Sequence, residues 1–379
     1  MGLRIATFNV ENLMARFDFS GWKRDSRRDR SMALMEIPDK KQFETLERAR
    51  TIVHADDARQ MTALAVADTL ADVVCLQEVE NLAALEAFED NYLYRMTGIS
   101  YPQKAWIEGN DGRGIDVAFM ARERTMDGEP IEIDRIRSHA KNTFSDLGVH
   151  NATLEEMGLE ADERIFRRDC LEVNLRVGGR RVTLFVCHFK SMGPFRNGMT
   201  GREYTMPVRI AESRAVKRII ERKFGSERTP KMRWVIVGDL NDYTERLVVT
   251  GDRIKGYSFE NKREGVSGID PLLTDGFSHN LMDLRPADDR WTLYHAAGPV
   301  DDLQKPEERE TRHLVQLDYL LLSPALAKQN AKSVPEVIRQ GLPFRTIFPP
   351  HLDVPRYPRT GWDRPKASDH CPVVMKLTL

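Results

Sequence analysis

The sequence predicts an α/β layered domain, and three observations predict it. Short apolar runs that read as strands recur along the whole chain. Helical patterns, in which apolar residues return at three and four, fall between them. No fixed-period repeat, low-complexity tract or Gly/Ser- or Pro-rich linker divides the 379 residues, so one large domain over 1–379 is expected. At 41% hydrophobic residues, the chain has the material for a sizeable core.

The first strand is expected at 3–9, where Leu-Arg-Ile-Ala-Thr-Phe-Asn opens the chain with alternation. A helix-like stretch at 58–70 precedes a short buried run at 73–76, and a strand at 115–120 follows a turn rich in Gly, Asn and Asp. Strands at 171–177 and 182–187 meet across Gly178-Gly179, a dipeptide suited to a tight hairpin. The plainest helix is 208–224, and strands at 234–237, 317–322 and 373–377 complete the set. Two stretches carry few strand signals, 17–57 and 138–163, and are expected as surface insertions. In the first, Lys23, Arg24, Arg27, Arg28 and Arg30 interleave with Asp18, Asp25 and Asp29. That run reads as a solvated mixed-charge loop, with a nucleic-acid patch as the alternative.

Charge is balanced, 57 basic against 58 acidic residues for a formal net charge of -1. Any contact with nucleic acid must then come from a local basic patch. No apolar run is long enough to cross a membrane, and no long apolar stretch opens the chain. Gly2 invites a myristoylation reading, but Ala6 stands where that motif wants Ser or Thr. Cys75, Cys170, Cys187 and Cys371 lie far apart, in or beside apolar runs, and are expected as buried free thiols of a cytoplasmic protein. No protein partner is evident.

Five polar phrases sit at the ends of apolar runs. Asn9-Val-Glu11-Asn12 ends the first strand, and Gln77-Glu78 ends the run at 73–76. A glutamate directly after a buried strand is costly to cover unless something pairs with it. Glu78 is either a partner of a hard divalent cation, magnesium or manganese, or a surface carboxylate in a turn. His188 ends the strand at 182–187, where an imidazole can donate to a phosphate oxygen or serve structure alone. Gly238-Asp239-Leu-Asn241-Asp242 follows Trp-Val-Ile-Val. Asp239 and Asn241 share a face if the chain stays extended, so one can act on water while the other holds a phosphoryl oxygen. The fifth phrase comes in two pieces, Asp318 within a strand and Ser368-Asp369-His370 before the last one. A buried aspartate that accepts from an imidazole fixes its tautomer and raises its basicity.

The inventory narrows the reaction class. Gly-x-Ser-x-Gly, a Walker-A loop, Gly-x-Gly-x-x-Gly and a zinc-type His/Cys spacing are all absent. Carboxylates, amides and imidazoles remain, a set that suits metal-assisted attack of water on a phosphate ester.

In this order, from Asn9 to His370, the phrases resemble those of the endonuclease/exonuclease/phosphatase superfamily. The resemblance implies a four-layer α/β/β/α sandwich of two mixed sheets flanked by helices, with a site where strands finish. It implies Glu78 as principal metal ligand, supported by Glu11, where many relatives carry Asp, and by Asp369. It implies that Asn9 positions Asp239, that Asp239 orients or deprotonates water, and that Asn241 holds phosphate. His188 and His370 are implied to contact the scissile phosphate, with Asp318 paired to His370. Relatives also carry phosphate contacts in mid-chain. In Asp111-Gly-Arg113-Gly-Ile-Asp116, Arg113 is the candidate, with Arg168 and Arg209 as further ones and Asp116 as a structural residue. The cofactor implied is Mg2+, with Mn2+ possible.

The chain lacks the Pro-Ala-Trp-Cys-Asp-Arg phrase of the inositol phosphatases, and its closing phrases look more like those of nucleases. Basic residues Arg209, Arg214, Lys217, Arg218, Arg222 and Lys223 on the helix at 208–224 offer either a phosphate-tracking face or a solvated one. The expectation is a metal-dependent phosphodiesterase or nuclease acting on nucleic acid or another phosphoester. The alternatives are a phosphatase for a small or lipid-linked phosphate and an inactive binding scaffold.

Overall fold

Alternation along the first strand assigns the layers. Leu3 and Ile5 belong to one buried cluster, and Ala6 and Phe8 to another on the opposite face. The computed structural model describes residues 2–14, 39, 56–194, 196, 198–296 and 312–379. The insertion expected at 17–57, with its arginine run, lies outside them apart from Asp39, Asp56 and Asp57.

One six-stranded sheet has the order β15 (Glu336–Val337), β16 (Val373–Thr378), β1 (Gly2–Leu13), β2 (Val73–Val79), β4 (Asp116–Ala121) and β3 (Gln103–Trp106). The other runs β11 (His279–Asn280), β14 (Asp318–Leu322), β8 (Trp234–Asp239), β7 (Arg180–His188), β6 (Cys170–Val177) and β5 (Ile131–Arg137). Each is mixed, with one parallel pairing, β1 with β2 and β7 with β8. The hairpin between β6 and β7 turns on Gly178 and Gly179, both at positive φ.

The inner faces of the two sheets meet. Ile5, Val73, Cys75, Val117, Phe119 and Met375 from the first pack against Val173, Leu184, Val186, Val235, Val237 and Leu320 from the second. Burying each such side chain stabilises the fold by about 1.5–3 kcal/mol relative to exposure. Helix α1 (Asp56–Asp68) covers the outer face of the first sheet, laying Met61, Ala65 and Val66 on Phe8 and Leu76. Helix α2 (Gly201–Phe224) covers the second, with Val208, Ala215, Val216 and Ile220 against Phe185, Trp234 and Ile236. These are the four α/β/β/α layers. The polar stretch 138–163 folds into short helices Phe144–Leu147 and Ala152–Glu156, whose Phe144, Leu147 and Leu154 join the cluster beneath α2.

A third sheet of four strands is set between β8 and β14 in the chain. Its order is β10 (Gly256–Arg263), β9 (Glu245–Asp252), β13 (His313–Val315) and β12 (Leu293–His295). An isolated bridge from Leu293 to His370 ties it to the last polar phrase.

Candidate active site

The inner faces change chemistry at one end. On β7 the inward residues run Val182, Leu184, Val186, then His188, and on β8 they run Val235, Val237, then Asp239. On β14, Leu322 and Leu320 lead to Asp318. Period-two alternation thus carries an apolar core into a polar cluster without changing face. Pairing aligns the cluster, since His188 and Asp318 are both register partners of Asp239. Asn9 is held the same way on β1, opposite Gln77.

Local backbone supplies the remaining side chains. Glu11, Asn12, Glu78 and Asn241 are four of the seven non-glycine residues at positive φ among those described. Such conformations cost about 1–3 kcal/mol each and gather at functional sites. At Glu11 and Glu78 they coincide with register shifts in β1 and β2. The irregularity brings Glu78, next in chain to the inward Gln77, to 3.4 Å from the Asn9 amide. Gly238, at φ 141°, is required by a close approach, because a Cβ there would lie 1.9 Å from the Cys187 carbonyl oxygen.

Asp239 is the hub. Its Oδ2 accepts from Asn9 Nδ2 at 3.0 Å and from Asn241 Nδ2 at 3.0 Å, and Oδ1 accepts from the Asn241 backbone N–H at 2.8 Å. Asn9 is oriented in turn by Glu11 N–H, which donates to its Oδ1 at 3.0 Å. His188 Nε2 stands 3.5 Å from Asp239 Oδ2 and 4.0 Å from Glu78 Oε1, and His370 Nε2 stands 3.9 Å from Asp239. His370 Nδ1 meets Asp318 Oδ2 at 2.9 Å, and Thr292 donates to the same oxygen at 2.7 Å. Ser368 links the phrases, donating to the Asn9 carbonyl and accepting from the His370 N–H.

Electrostatics separates the two imidazoles. Burial, reinforced by Arg168 and Arg113, holds His188 well below its ordinary range, so it stays neutral. Burial alone would also depress His370, but Asp318 and Asp239 overcome it and hold that ring well above. Burial pushes the Asp239 carboxyl up to about 7, with Asp318 adding to it against His370 and the two asparagines. Glu78 is raised by burial and then by the charge of Asp369.

Other expected residues fall into two groups. Asp369 is in the cluster, and its N–H donates to Glu11 Oε2 at 3.0 Å. Glu11 is engaged by cations of the chain itself, Arg364 at 2.7 Å and Lys366 at 3.0 Å. Asn241, expected to hold phosphate, gives its amide hydrogens to Asp239 and to the Phe189 carbonyl. Arg113 and Arg168 both bind Asp111, at 3.1 and 2.7 Å, and their charges reach His188 and Glu78. Buried Asp116 lies in the same region, its carboxyl pushed up to about 6 by burial. Arg209 is not brought to the site as a free cation. It is fully buried, bound to Asp242 at 2.9 Å. The helix face expected to track phosphates is divided accordingly, with Arg209 inward and Lys223 on Glu172 at 2.6 Å.

Sequence reasoning passed over Thr292, Arg364 and Lys366. The two basic residues lie just before Ser368-Asp369-His370 and were visible as such, whereas nothing in the sequence marks Thr292.

Among the described residues no three His, Cys, Asp or Glu side chains are grouped as a metal-holding set. Glu78 and Asp369 are two hard carboxylates; burial and the charge of Asp369 disfavour Glu78 as an anion, whereas Asp369, despite its burial, is held below the ordinary range by His370 and Lys366. A pair of this kind fits magnesium, which is held by one or two carboxylates and keeps most of its water. No helix among the described residues is long and apolar enough to cross a membrane.

No protein-family model matches the chain, and no curated protein matches it. Solved structures do. An endonuclease/exonuclease/phosphatase family protein from Bacteroides thetaiotaomicron aligns at 13% identity and a TM-score of 0.50, covering 100% of this chain and 97% of that one. TDP2 from D. rerio, complexed with single-strand DNA product, aligns at 15% identity and a TM-score of 0.49, covering 100% and 99%. A family protein from Leptotrichia buccalis aligns at 12% identity and a TM-score of 0.47, covering 100% of both chains.

Proposed function

We propose that this chain, which has the endonuclease/exonuclease/phosphatase fold, is a divalent-metal-dependent phosphoester hydrolase whose substrate is a phosphodiester of nucleic acid. The observation that carries the reading is Asp239, held by Asn9 and Asn241 between a neutral imidazole and a charged one at the end of the inter-sheet core.

Each residue has a task in that reading. Asp239 orients the attacking water and takes its proton, and Asn9 and Asn241 fix the direction of its lone pairs. His370, kept protonated by Asp318, donates from Nε2 to a phosphoryl oxygen as charge builds there. His188 adds a neutral donor, and Arg168 and Arg113 bring positive charge to the site. Glu78 and Asp369 would hold magnesium or manganese, which supplies neutralisation of the phosphoryl charge. Glu11, bound by Arg364 and Lys366, positions Asp369 through its backbone N–H.

The test compares hydrolysis of bis-p-nitrophenyl phosphate and p-nitrophenyl phosphate with magnesium and with EDTA. Metal-dependent turnover favouring the diester is expected, and Asp239→Asn should lower it roughly 10²–10⁴-fold. No metal-dependent turnover of either ester, or of a broader phosphoester panel, would overturn the reading.

A further inference from the structure

The segment 341–366 carries five basic residues against two acidic ones, in a chain whose formal net charge is -1. It forms two loops laced together. Phe344 N–H donates to the Gly361 carbonyl at 3.1 Å, and Arg345 N–H donates to the Trp362 carbonyl at 2.9 Å. The second loop closes tightly, since a Cβ on Gly361 would lie 2.0 Å from the Arg364 carbonyl oxygen. The backbone at Phe344 and Trp362 is therefore fixed, yet their rings face solvent, 56% and 69% exposed.

Cations lie beside Phe344 and in both loops. Arg345 pairs with Asp363 at 2.5 Å, and Arg356 lies 5.9 Å from the Phe344 ring and 4.9 Å from Phe348. Arg364 extends from the same loop to Glu11, whose other carboxylate oxygen accepts from Asp369 N–H. One side chain thus joins this surface to the candidate active site.

We propose that Phe344 and Trp362 form a base-stacking platform that leads single-stranded nucleic acid into the site, with Arg345 and Arg364 along its phosphates. The proposal rests on the phosphodiesterase reading and names its substrate class. Aromatic rings gain most from bases whose faces are open, and in a duplex those faces are already stacked. The local basic excess supplies the sequence-independent attraction for a backbone of phosphates.

The test measures binding of a short single-stranded oligonucleotide to the full chain by fluorescence anisotropy, in EDTA to prevent cleavage. Trp362→Ala and Phe344→Ala should each weaken binding about 5- to 100-fold, while Trp362→Phe keeps most of it. A duplex of the same length should bind more weakly and ignore Trp362→Ala. Metal-dependent turnover of bis-p-nitrophenyl phosphate by the wild-type chain is measured alongside, so a failed platform and a failed phosphodiesterase reading give different results. Unchanged oligonucleotide binding in both alanine variants overturns the proposal. So does a wild-type chain that binds phosphatidylserine vesicles through Trp362 and leaves the oligonucleotide free.

Discussion

His370 and His188 lie on either side of one carboxylate and carry different charges because their other neighbours differ. His370 has Asp318 at 2.9 Å, while His188 lies under the field of Arg168 and Arg113. Removing the Asp318 charge therefore removes the largest of the influences that hold His370 high. If His370 acts as a charged donor, activity falls as it deprotonates on the alkaline side. Asp318→Asn should move that alkaline limb of kcat/KM to lower pH, with the fold retained by circular dichroism. A second residue tests burial without touching the site. Glu212, fully buried on α2, accepts from the Lys190 N–H at 2.8 Å, and burial pushes its carboxyl up to about 7 from an ordinary 4.5. A raised carboxyl favours the folded state in full below about 4.5, and that contribution is lost as pH rises through about 7. The loss is roughly 3 kcal/mol at most. Glu212→Gln keeps an acceptor for Lys190 and has no proton to lose. Urea midpoints at pH 4.5, 6 and 8 should show the variant gaining on the wild type as pH rises. A constant gap would show that Glu212 titrates alike in both states.

At the scale of elements, the strands were legible because they are apolar runs that turn polar at one end. The alternation at 3–9 and the apolar runs at 182–187 and 234–237 located β1, β7 and β8, and Asn9, His188 and Asp239 were readable as site candidates because each is a polar residue at or just after the end of such a run. The third sheet was not legible. Its β10 reads Gly-Tyr-Ser-Phe-Glu-Asn-Lys-Arg and is exposed along nearly its whole length, so no buried face imposes alternation. Helix α2 was found from 208 onward, but it begins at Gly201. Pro207 reads as a helix boundary, while the structure runs through it from a capping box of Thr200 and Glu203. Thr200→Ala should then cost about 1 kcal/mol in chemical denaturation. The division of the helix's basic face was also hidden, because it depends on Asp242 reaching Arg209 from another element. Gly238→Ala tests the closeness of β7 and β8. The added methyl must push the Cys187 carbonyl away, and a loss of roughly 1–3 kcal/mol is expected.

For the whole molecule, the proposed cation at Glu78 would link ion binding to folding. An ion that binds the folded chain alone stabilises it by about 2.7 kcal/mol at a hundred times its dissociation constant. Magnesium should raise the melting temperature, and EDTA should reverse the rise. Glu78→Gln should need a higher magnesium concentration for the same shift, and an identical titration would remove Glu78 from the ion's ligands. The run of inward residues that ends in His188, Asp239 and Asp318 also limits how the gene can vary. Loss of one codon within β7 or β8 would turn every later side chain of that strand to the opposite face, taking His188 or Asp239 with it, and within β14, which Asp318 opens, it would set Asp318 and the core residues after the loss on opposite faces. Loss of two would restore the faces but shorten the strand by about 6–7 Å. These three coding stretches should accept substitutions and reject changes of length. Additions should collect in the connections between them, and the sequence between β8 and β14 already holds a whole four-stranded sheet.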